Sequence, residues 1–253
     1  MSGENDTVYT RYTQYVQSIL QTGNISDFKR QPAYTYMLEH VSPLLGRHYL
    51  DIIRRSGVSN NDIVQYCSKN DRIGSPILTQ YDTFAASPAS LRYIRHALLI
   101  LDHCKKTGVL NPSFVEVGCG YGGLALAIDH FSSLVGINVK SYTMIDLEHP
   151  SGLQQLYLSK HTNSFPMTFR RAGAFGSDVE GGDNFLISCY CFSEISAVDQ
   201  QNYVKTLFPK CSHGFILWNM IPLYDFGKQV NVEPESPLTS SVDSENPNCH
   251  VYF

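Results

Sequence analysis

Apolar residues recur at steps of three and four through much of the first 110 residues, which predicts amphipathic helices. The clearest segments are TRYTQYVQSIL, FKRQPAYTYMLEHV, LLGRHYLDIIRR and SPASLRYIRHALLILDHCKK. Ser26, Ser42, Ser59 and Ser87 stand in or near positions where such helices begin, and Gly108 follows the longest one. No strand pattern competes with the helices here, so we expect a helical region over residues 1–110.

From residue 111 onward, short apolar runs alternate with helical stretches. The runs are SFVEV, SYTMID, PMTFRRA, NFLISCYC and GFILWNM, and helices are predicted near 124–131, 152–160 and 199–208. This alternation is typical of βαβ units in a parallel sheet that is buried on both faces. After Pro222, a polar loop rich in Ser and Pro separates VNV from the terminal CHVYF, which predicts an antiparallel pair. The prediction is an α/β fold with a doubly wound, mostly parallel sheet over 111–253, an antiparallel C-terminal strand pair and an N-terminal helical layer.

Composition and charge narrow the classes of function. Of the 253 residues, 43% are hydrophobic and 17% are charged, with a formal net charge of -4. A net negative charge gives no general attraction for polyphosphates, so nucleic acid is not expected as a partner. The seven cysteines are odd in number and form no C-x-x-C pair, which favours reduced thiols. The polar N-terminus and the absence of a long apolar run predict a cytoplasmic protein without a membrane span.

Glycines gather where the first of the predicted parallel strands meets its helix, in FVEVGCGYGGLALAI. Such a turn exposes backbone N–H groups at a helix N-terminus and lets a ligand approach the main chain. Gly118, Gly120 and Gly123 fit G-x-G-x-x-G, the dinucleotide fingerprint. Glu116, Gly118, Gly120 and Gly122 also form E-x-G-x-G-x-G, which resembles the first motif of class I methyltransferases dependent on S-adenosylmethionine (SAM). Spacing alone leaves both cofactors open.

The charge of the ligand distinguishes these two interpretations. SAM carries an ammonium and a sulfonium group and no phosphate, whereas an acid beside a pyrophosphate would repel it. We therefore interpret the carboxylate of Glu116 as favouring SAM. Asp146, which ends SYTMID, suits the ribose of either cofactor, because a carboxylate accepts hydrogen bonds from both hydroxyls of a cis-diol.

Ligands in open α/β sheets bind outside the carboxyl ends of the strands, so the other strand ends supply further candidates. After the third strand, Ala174 and Phe175 stand where methyltransferases often place an acid near adenine, and backbone contacts or Asp178 would replace that acid. After the fourth strand, Cys189 and Tyr190 fall where methyltransferases flank the reactive methyl group.

Several strings together resemble a family of sugar O-methyltransferases with the class I fold. They are GCGYGGLALAI, YTMIDLEHPSGLQQLYL, CYCFSEIS and GFILWNMIP, with FKRQPAYTYMLEHV and SPASLRYIRHALLIL upstream, so the resemblance runs from about residue 28 to the end. It implies methylation of a sugar hydroxyl in a glycan or glycoconjugate. The cofactor residues that follow from the motif are Glu116, Gly118, Cys119, Gly120, Tyr121, Gly122, Asp146 and Leu147. Ser90, Arg92 and Tyr93, on the helix before the first strand, are candidates for the SAM carboxylate.

A sugar hydroxyl is a weak nucleophile, so a base positioned to take its proton would speed the transfer. Glu194, in CYCFSEIS, is the first candidate, and its alternative role is an acid that stabilises the following helix. Asp225 is the second candidate base, and Asn219 is placed to orient a substrate. Tyr81 and Asp82, before the long helix, are candidates for lining the acceptor pocket. The sequence contains no cluster at metal-ligand spacing, and no metal is assigned.

These predictions divide the chain into a helical cap or lid, residues 1–110, and a SAM-binding Rossmann-like methyltransferase domain, residues 111–253. Similar domains occur beside glycosyltransferases in glycan-building systems, some of them viral, so fused or associated glycosyltransferase domains are expected partners. Aromatic N-terminal helices are also compatible with a homodimer. Two alternatives stay open, an NAD(P)-dependent oxidoreductase and a non-catalytic Rossmann-like module of a glycan-synthesis protein.

Overall fold

A computed structural model describes residues 3–38, 40–235, 237–239 and 246–253 of the chain. Contacts divide the chain into two compact units. Unit 1 consists of Met1–Leu101, Gly120–Leu134 and Gly152–Asn163, and unit 2 consists of Asp102–Cys119, Val135–Ser151 and Ser164–Phe253. The predicted domain boundary at residue 110 stays a prediction, since a division by contacts does not test whether either part folds alone.

Helices and strands alternate after residue 110, as the apolar pattern predicts. The helices are α1 (Gly3–Thr22), α2 (Pro32–Leu38), α3 (Pro43–Arg55), α4 (Asn60–Asp71), α5 (Pro88–Thr107), α6 (Gly123–Ser132), α7 (Glu148–Leu158), α8 (Cys191–Glu194) and α9 (Ala197–Thr206). The strands are β1 (Thr79–Tyr81), β2 (Phe84–Ala86), β3 (Ser113–Val117), β4 (Ser141–Asp146), β5 (Met167–Arg171), β6 (Asn184–Cys189), β7 (Cys211–Trp218), β8 (Asn231–Pro234) and β9 (Cys249–Tyr252).

The helix boundaries follow the polar signals in the sequence. Ser42 and Ser59 are the N-caps of α3 and α4, and each side chain accepts a hydrogen bond from a backbone N–H in the first turn. Ser87 does the same for α5, with its Oγ 3.1 Å from the Ser90 nitrogen. Gly108 follows α5 with a φ of +75°, a conformation that glycine adopts without the steric cost of a Cβ.

Within the described residues of unit 2, seven strands form one sheet in the order β5-β4-β3-β6-β7-β9-β8. The first five strands in this order are parallel, and β9 pairs antiparallel with both β7 and β8. Four of the five residues of β3 are buried, which is why this strand is an almost continuous apolar run. The predicted α/β fold, with a mostly parallel sheet and an antiparallel C-terminal strand pair, is confirmed. Part of the Ser/Pro-rich loop between β8 and β9 lies outside the described residues.

One expectation for the N-terminal region is wrong. In unit 1, β1 and β2 pair antiparallel as a short hairpin, where the sequence predicted helices and turns alone. Each strand has only three residues, too few to show an alternating pattern. Asp82 lies in the connecting turn with a φ of +48°.

Candidate functional site

The centre of the sheet creates a crevice at the carboxyl ends of the strands. Strand β3 pairs with β4 on one side and with β6 on the other, so the order of connection reverses there. In open α/β sheets ligands bind at such a switch point. Gly118 follows β3, and Cys189 ends β6, so both lie at this edge of unit 2.

The backbone conformation at position 118 and the side chain packed against it both require glycine there. Its φ is +75°, and a Cβ at this position would overlap the Cβ and Sγ atoms of Cys191 at the start of α8. Its N–H donates to the carbonyl of Ile145 across the ladder at 3.0 Å. No larger residue fits here without displacing α8.

Asp146 is the acid that contacts the glycine turn. Its Oδ2 accepts from the N–H of Cys119 at 2.8 Å, and its Oδ1 accepts from the N–H of Leu147, also at 2.8 Å. Asp146 therefore fixes the glycine turn, and a carboxylate is the chemical group that binds both hydroxyls of a diol.

Glu116 has a different environment from the one we inferred. It is 2% exposed, and its Oε2 accepts from the Tyr142 hydroxyl at 2.9 Å. Burial raises the pKa of Glu116 to about 8, with the Tyr142 hydrogen bond opposing the change and Asp146 adding to it. In the absence of a ligand, burial therefore favours the neutral carboxyl, and a cationic cofactor nearby would lower this pKa again.

The second half of the glycine turn belongs to unit 1. Gly120 has a φ of +55°, and the side-chain atoms nearest to a Cβ built there are 3.9 Å away, among them the Tyr93 hydroxyl. The Gly120 carbonyl accepts from Nε2 of Gln154 at 3.1 Å. Gly122, with a φ of +95°, is the N-cap of α6, and a Cβ there would lie 2.9 Å from a methyl carbon of Leu158. Gly122 thus serves helix packing, whereas Gly120 is less tightly enclosed by side chains.

Tyr121 points away from that space into a buried cluster of unit 1. It is fully buried, and its hydroxyl donates to Oδ1 of Asn70 at 3.1 Å. The Lys29 ammonium lies 4.3 Å from the centre of the Tyr121 ring and donates to the Asn70 carbonyl at 2.7 Å. The Tyr157 hydroxyl donates to the same Asn70 oxygen as Tyr121, at 2.7 Å. A cofactor contact by Tyr121 would therefore come from its backbone.

The other candidates for the SAM carboxylate have partners within unit 1. Ser90 is fully buried, and its hydroxyl donates to Asp71 at 2.7 Å. Arg92 donates to the carbonyl of Leu38 at 2.8 Å. Of the three candidates on α5, Tyr93 is the one with its hydroxyl beside Gly120.

Ala174 and Phe175 lie in a single 3-10 turn after β5. Phe175 has a φ of +49°, and its N–H donates to the carbonyl of Ala172 at 2.8 Å. Asp178 forms an ion pair with Arg170 at 3.5 Å. The predicted adenine contacts of Ala174 and Phe175 stay predictions.

Tyr190, after Cys189, has a strained backbone and a polar partner that sequence analysis missed. Its φ is +67°, in the left-handed region that a bulky residue rarely adopts. Its hydroxyl donates to the carboxylate of Glu235, with distances of 3.1 and 3.2 Å to the two oxygens. The available sequence signal was an acid three residues after VNV, beyond Glu233 and Pro234, but the strand order that places Glu235 near Tyr190 is not local information.

Glu194 and Asn219 are brought together at the ends of β6 and β7. Nδ2 of Asn219 donates to Oε1 of Glu194 at 2.6 Å. Glu194 is exposed by surface area, yet the protein atoms around its carboxyl desolvate it and raise its pKa, with the Asn219 hydrogen bond opposing the change. Asp225 is exposed, and its Oδ1 accepts from the N–H of Gly227 at 2.9 Å in a local turn. The basic function of either acid stays a prediction.

Tyr81 and Asp82, predicted to line an acceptor pocket, make contacts within unit 1. Asp82 pairs with Arg47 at 2.9 Å and with Arg54 at 2.8 Å, and these hydrogen bonds lower its pKa. Tyr81 is 1% exposed, with the Arg47 guanidinium 5.1 Å from its ring centre. Their role toward a substrate also stays a prediction.

Metals and membranes give no further candidates. Among the residues that the structure describes, no group of three or more His, Cys, Asp and Glu side chains could hold a metal ion. In the same part of the chain, no helix combines the length and apolar character needed to cross a bilayer.

Comparisons with known proteins find similar folds. No protein-family model and no curated protein matches this chain. The methyltransferase domain of bacterial CtHen1 is 13% identical, with 62% of this chain and 96% of that domain covered and a TM-score of 0.45. A SAM-dependent methyltransferase from Clostridium acetobutylicum is 13% identical, with 49% of each chain covered and a TM-score of 0.38. Magnesium protoporphyrin IX methyltransferase from Synechocystis, solved with bound SAH, is 12% identical, with 70% of this chain and 72% of that one covered and a TM-score of 0.37.

At these identities the comparisons concern the fold alone. In the sheet of this chain, the antiparallel strand β9 lies between the parallel strands β7 and β8.

Proposed function

We propose that this chain, with its class I methyltransferase fold, transfers a methyl group from SAM to a hydroxyl group of a sugar. The observation that carries the proposal is the contact between the Asp146 carboxylate and the N–H of Cys119, at the switch point of the sheet. It joins an acid suited to a ribose diol to a glycine turn suited to close approach of a ligand. This arrangement is what binding of an adenosyl cofactor needs.

The residues present fit SAM. Gly120 has a left-handed conformation, and a Cβ there would make only ordinary van der Waals contacts, at 3.9 Å or more, with Leu38 and Tyr93. In the proposed complex, Gly118 allows close approach to the main chain and Asp146 holds the ribose, both within unit 2, while Gly120 and Tyr93 stay candidates from the sequence. The cofactor supplies a methyl group activated by the positive charge of its sulfonium.

The strand order also bears on the rival cofactor. Dinucleotide-binding sheets have six parallel strands in the order 3-2-1-4-5-6, whereas here the antiparallel β9 separates β7 from β8. Calorimetry with S-adenosylhomocysteine and with NAD tests the cofactor directly. We expect binding of the first alone, with binding of NAD alone as the opposite result. Asp146→Asn should weaken binding, and Asp102→Asn, at an exposed acid on α5, is the matched control.

The sugar acceptor rests on the sequence resemblance and on the polar groups at the carboxyl edge of the sheet. Asn219 and Glu194 supply an amide and a carboxylate there, and both groups bind hydroxyls well. We propose that they hold the acceptor, and that a carboxylate at this edge takes its proton, for which Glu194 and Asp225 are the candidates from sequence.

Mass spectrometry after incubation with SAM and a panel of free sugars and methyl glycosides tests the acceptor. A mass increase of one methyl group on a sugar supports the proposal. Binding of S-adenosylhomocysteine without transfer to any sugar would contradict the sugar and leave the cofactor assignment standing. Function that survives replacement of Asp146 in the presence of a partner glycosyltransferase would instead favour a non-catalytic module.

A further inference from the structure

The pair formed by Tyr190 and Glu235 lies at the same edge of the sheet as the proposed site. Strand β8 is antiparallel to β9, which is antiparallel to β7, so β8 runs in the same direction as β6 and β7. Glu235 directly follows β8, and Tyr190 directly follows β6. Both residues therefore stand at carboxyl ends, where ligands bind in such sheets.

Glu235 is held firmly and is mostly buried. It is 9% exposed, and its backbone N–H donates to the carbonyl of Asn248 at 2.8 Å, which continues the β8–β9 ladder. Its two carboxylate oxygens accept a hydrogen bond from the Tyr190 hydroxyl, at distances of 3.1 and 3.2 Å. Burying a carboxylate costs free energy that hydrogen bonds such as the one from Tyr190 offset.

Tyr190 also carries strain that packing alone does not require. Its φ of +67° is unfavourable for a residue with a large side chain, and such conformations cluster at functional sites. The N–H of Tyr190 donates to the carbonyl of Leu217 on β7 at 2.9 Å, which holds the strained turn in place. This turn sets the direction in which the Tyr190 side chain leaves β6.

We propose that Glu235 is the base of the methyl transfer and that Tyr190 relays the proton to it. The inference rests on the proposed function. As the acceptor oxygen forms its bond to the methyl carbon, the carbon–sulfur bond breaks with its electron pair going to sulfur. The acceptor proton moves to the Tyr190 oxygen, and the original Tyr190 hydroxyl proton moves to Glu235. A phenol can accept one proton while it donates another, which is what a relay requires.

Glu235 is better suited to this role than Glu194. Glu194 is exposed by surface area, and its Oε1 is occupied by a hydrogen bond from the Asn219 amide at 2.6 Å, a donor that cannot relay a proton. Glu235 accepts from a group that can pass on a proton, whereas an amide N–H cannot do so at neutral pH. Glu194 and Asn219 are then left to bind the acceptor.

The experiment compares Tyr190→Phe, Glu235→Gln, the double variant and Glu194→Gln in the full chain. With SAM and the sugar of the panel that takes a methyl group, each of the first two should lower kcat by roughly 10²–10⁴-fold. The double variant should be no slower than the slower single variant, because both act on one proton route. KM for the sugar should change little in these variants, and Glu194→Gln should mainly raise KM.

Two controls separate failure of this inference from failure of the proposed function. Affinity for S-adenosylhomocysteine, measured by calorimetry, should stay within about threefold of wild type in every variant, because Tyr190→Phe keeps the ring predicted to flank the methyl group and the other variants keep the size of the side chain. Glu233→Gln, at an exposed acid two residues earlier on β8, should keep the wild-type kcat. A Glu235→Gln protein with wild-type kcat, or losses that add in the double variant, would overturn the relay.

A spectroscopic measurement tests the hydrogen bond between Tyr190 and Glu235 in the absence of an acceptor sugar. In protein carrying 13Cζ-labelled tyrosine, the Tyr190 resonance is identified by its loss in Tyr190→Phe. Its chemical shift should move in Glu235→Gln and stay unchanged in Glu233→Gln. An unmoved resonance would show that the hydrogen bond is absent and would refute the inference, even if no sugar in the panel is methylated.

Discussion

Glu116→Gln should make the protein more stable than wild type at high pH, because the wild-type carboxyl is buried where its charge is unfavourable. The Glu116 side chain is 2% exposed and its pKa rises from 4.5 to about 8 on folding. Below pH 4.5 the group is protonated in both states. Between pH 4.5 and about 8 it is ionised only in the unfolded chain, so stability falls as the pH rises through this window.

The size of the effect follows from the same two values. At about 1.36 kcal/mol for each pKa unit, a rise from 4.5 to about 8 corresponds to at most roughly 5 kcal/mol lost across the window. The glutamine side chain of the variant has no proton to exchange. Its amide oxygen can still accept from the Tyr142 hydroxyl, which lies 2.9 Å from the wild-type carboxylate. The variant should therefore lack this part of the pH dependence.

Urea unfolding followed by the fluorescence of Trp218 is the assay, since Trp218 is the only tryptophan and is 2% exposed. We expect Glu116→Gln to gain stability relative to wild type, measured as the difference in free energy of unfolding, from about pH 5 to about pH 8. Glu180→Gln, at an exposed loop acid, should show no such trend. Tyr142→Phe should extend the wild-type decline to higher pH, because it removes the bond that favours the ionised form. Parallel pH profiles for wild type and Glu116→Gln would refute the reasoning.

Three further predictions concern the turn and its support. Asp146→Asn should raise the dissociation constant for S-adenosylhomocysteine by about 10–100-fold in calorimetry, because a charge-assisted bond worth about 1.5–3 kcal/mol is lost from the turn. Gly118→Ala should lower the free energy of unfolding by roughly 2–4 kcal/mol in urea, since its Cβ overlaps α8 and strains the backbone. Gly120→Ala should lower it by only about 1–2 kcal/mol and mainly weaken S-adenosylhomocysteine binding; equal stability losses at the two glycines would contradict this. Lys29→Met should cost about 1–3 kcal/mol in the same assay, because the Asn70 carbonyl loses its buried partner, and a variant as stable as wild type would show that this bond contributes nothing.

The sequence patterns that proved informative are local. Several features could be predicted without the fold, because each element depends on a short local stretch of sequence. They are the alternating strands and helices, the serine caps and the antiparallel C-terminal strand pair. The hairpin β1–β2 could not, because three residues per strand give no period. The glycine turn and Asp146 were found for a related reason, since each stands at the end of a run whose direction in a parallel sheet is known.

The sequence by itself thus determined the α/β fold and the position of the glycine turn, while the tertiary structure decided what the acids do. Glu116 looked like a charge beside a ligand, and burial makes it mostly neutral at pH 7. Glu235 looked like one acid of a polar tail, and the strand order places it against Tyr190, forty-five residues away in the chain. Desolvation and cross-strand contacts depend on residues distant in sequence, so a carboxyl group has no fixed charge or partner until the sheet is assembled.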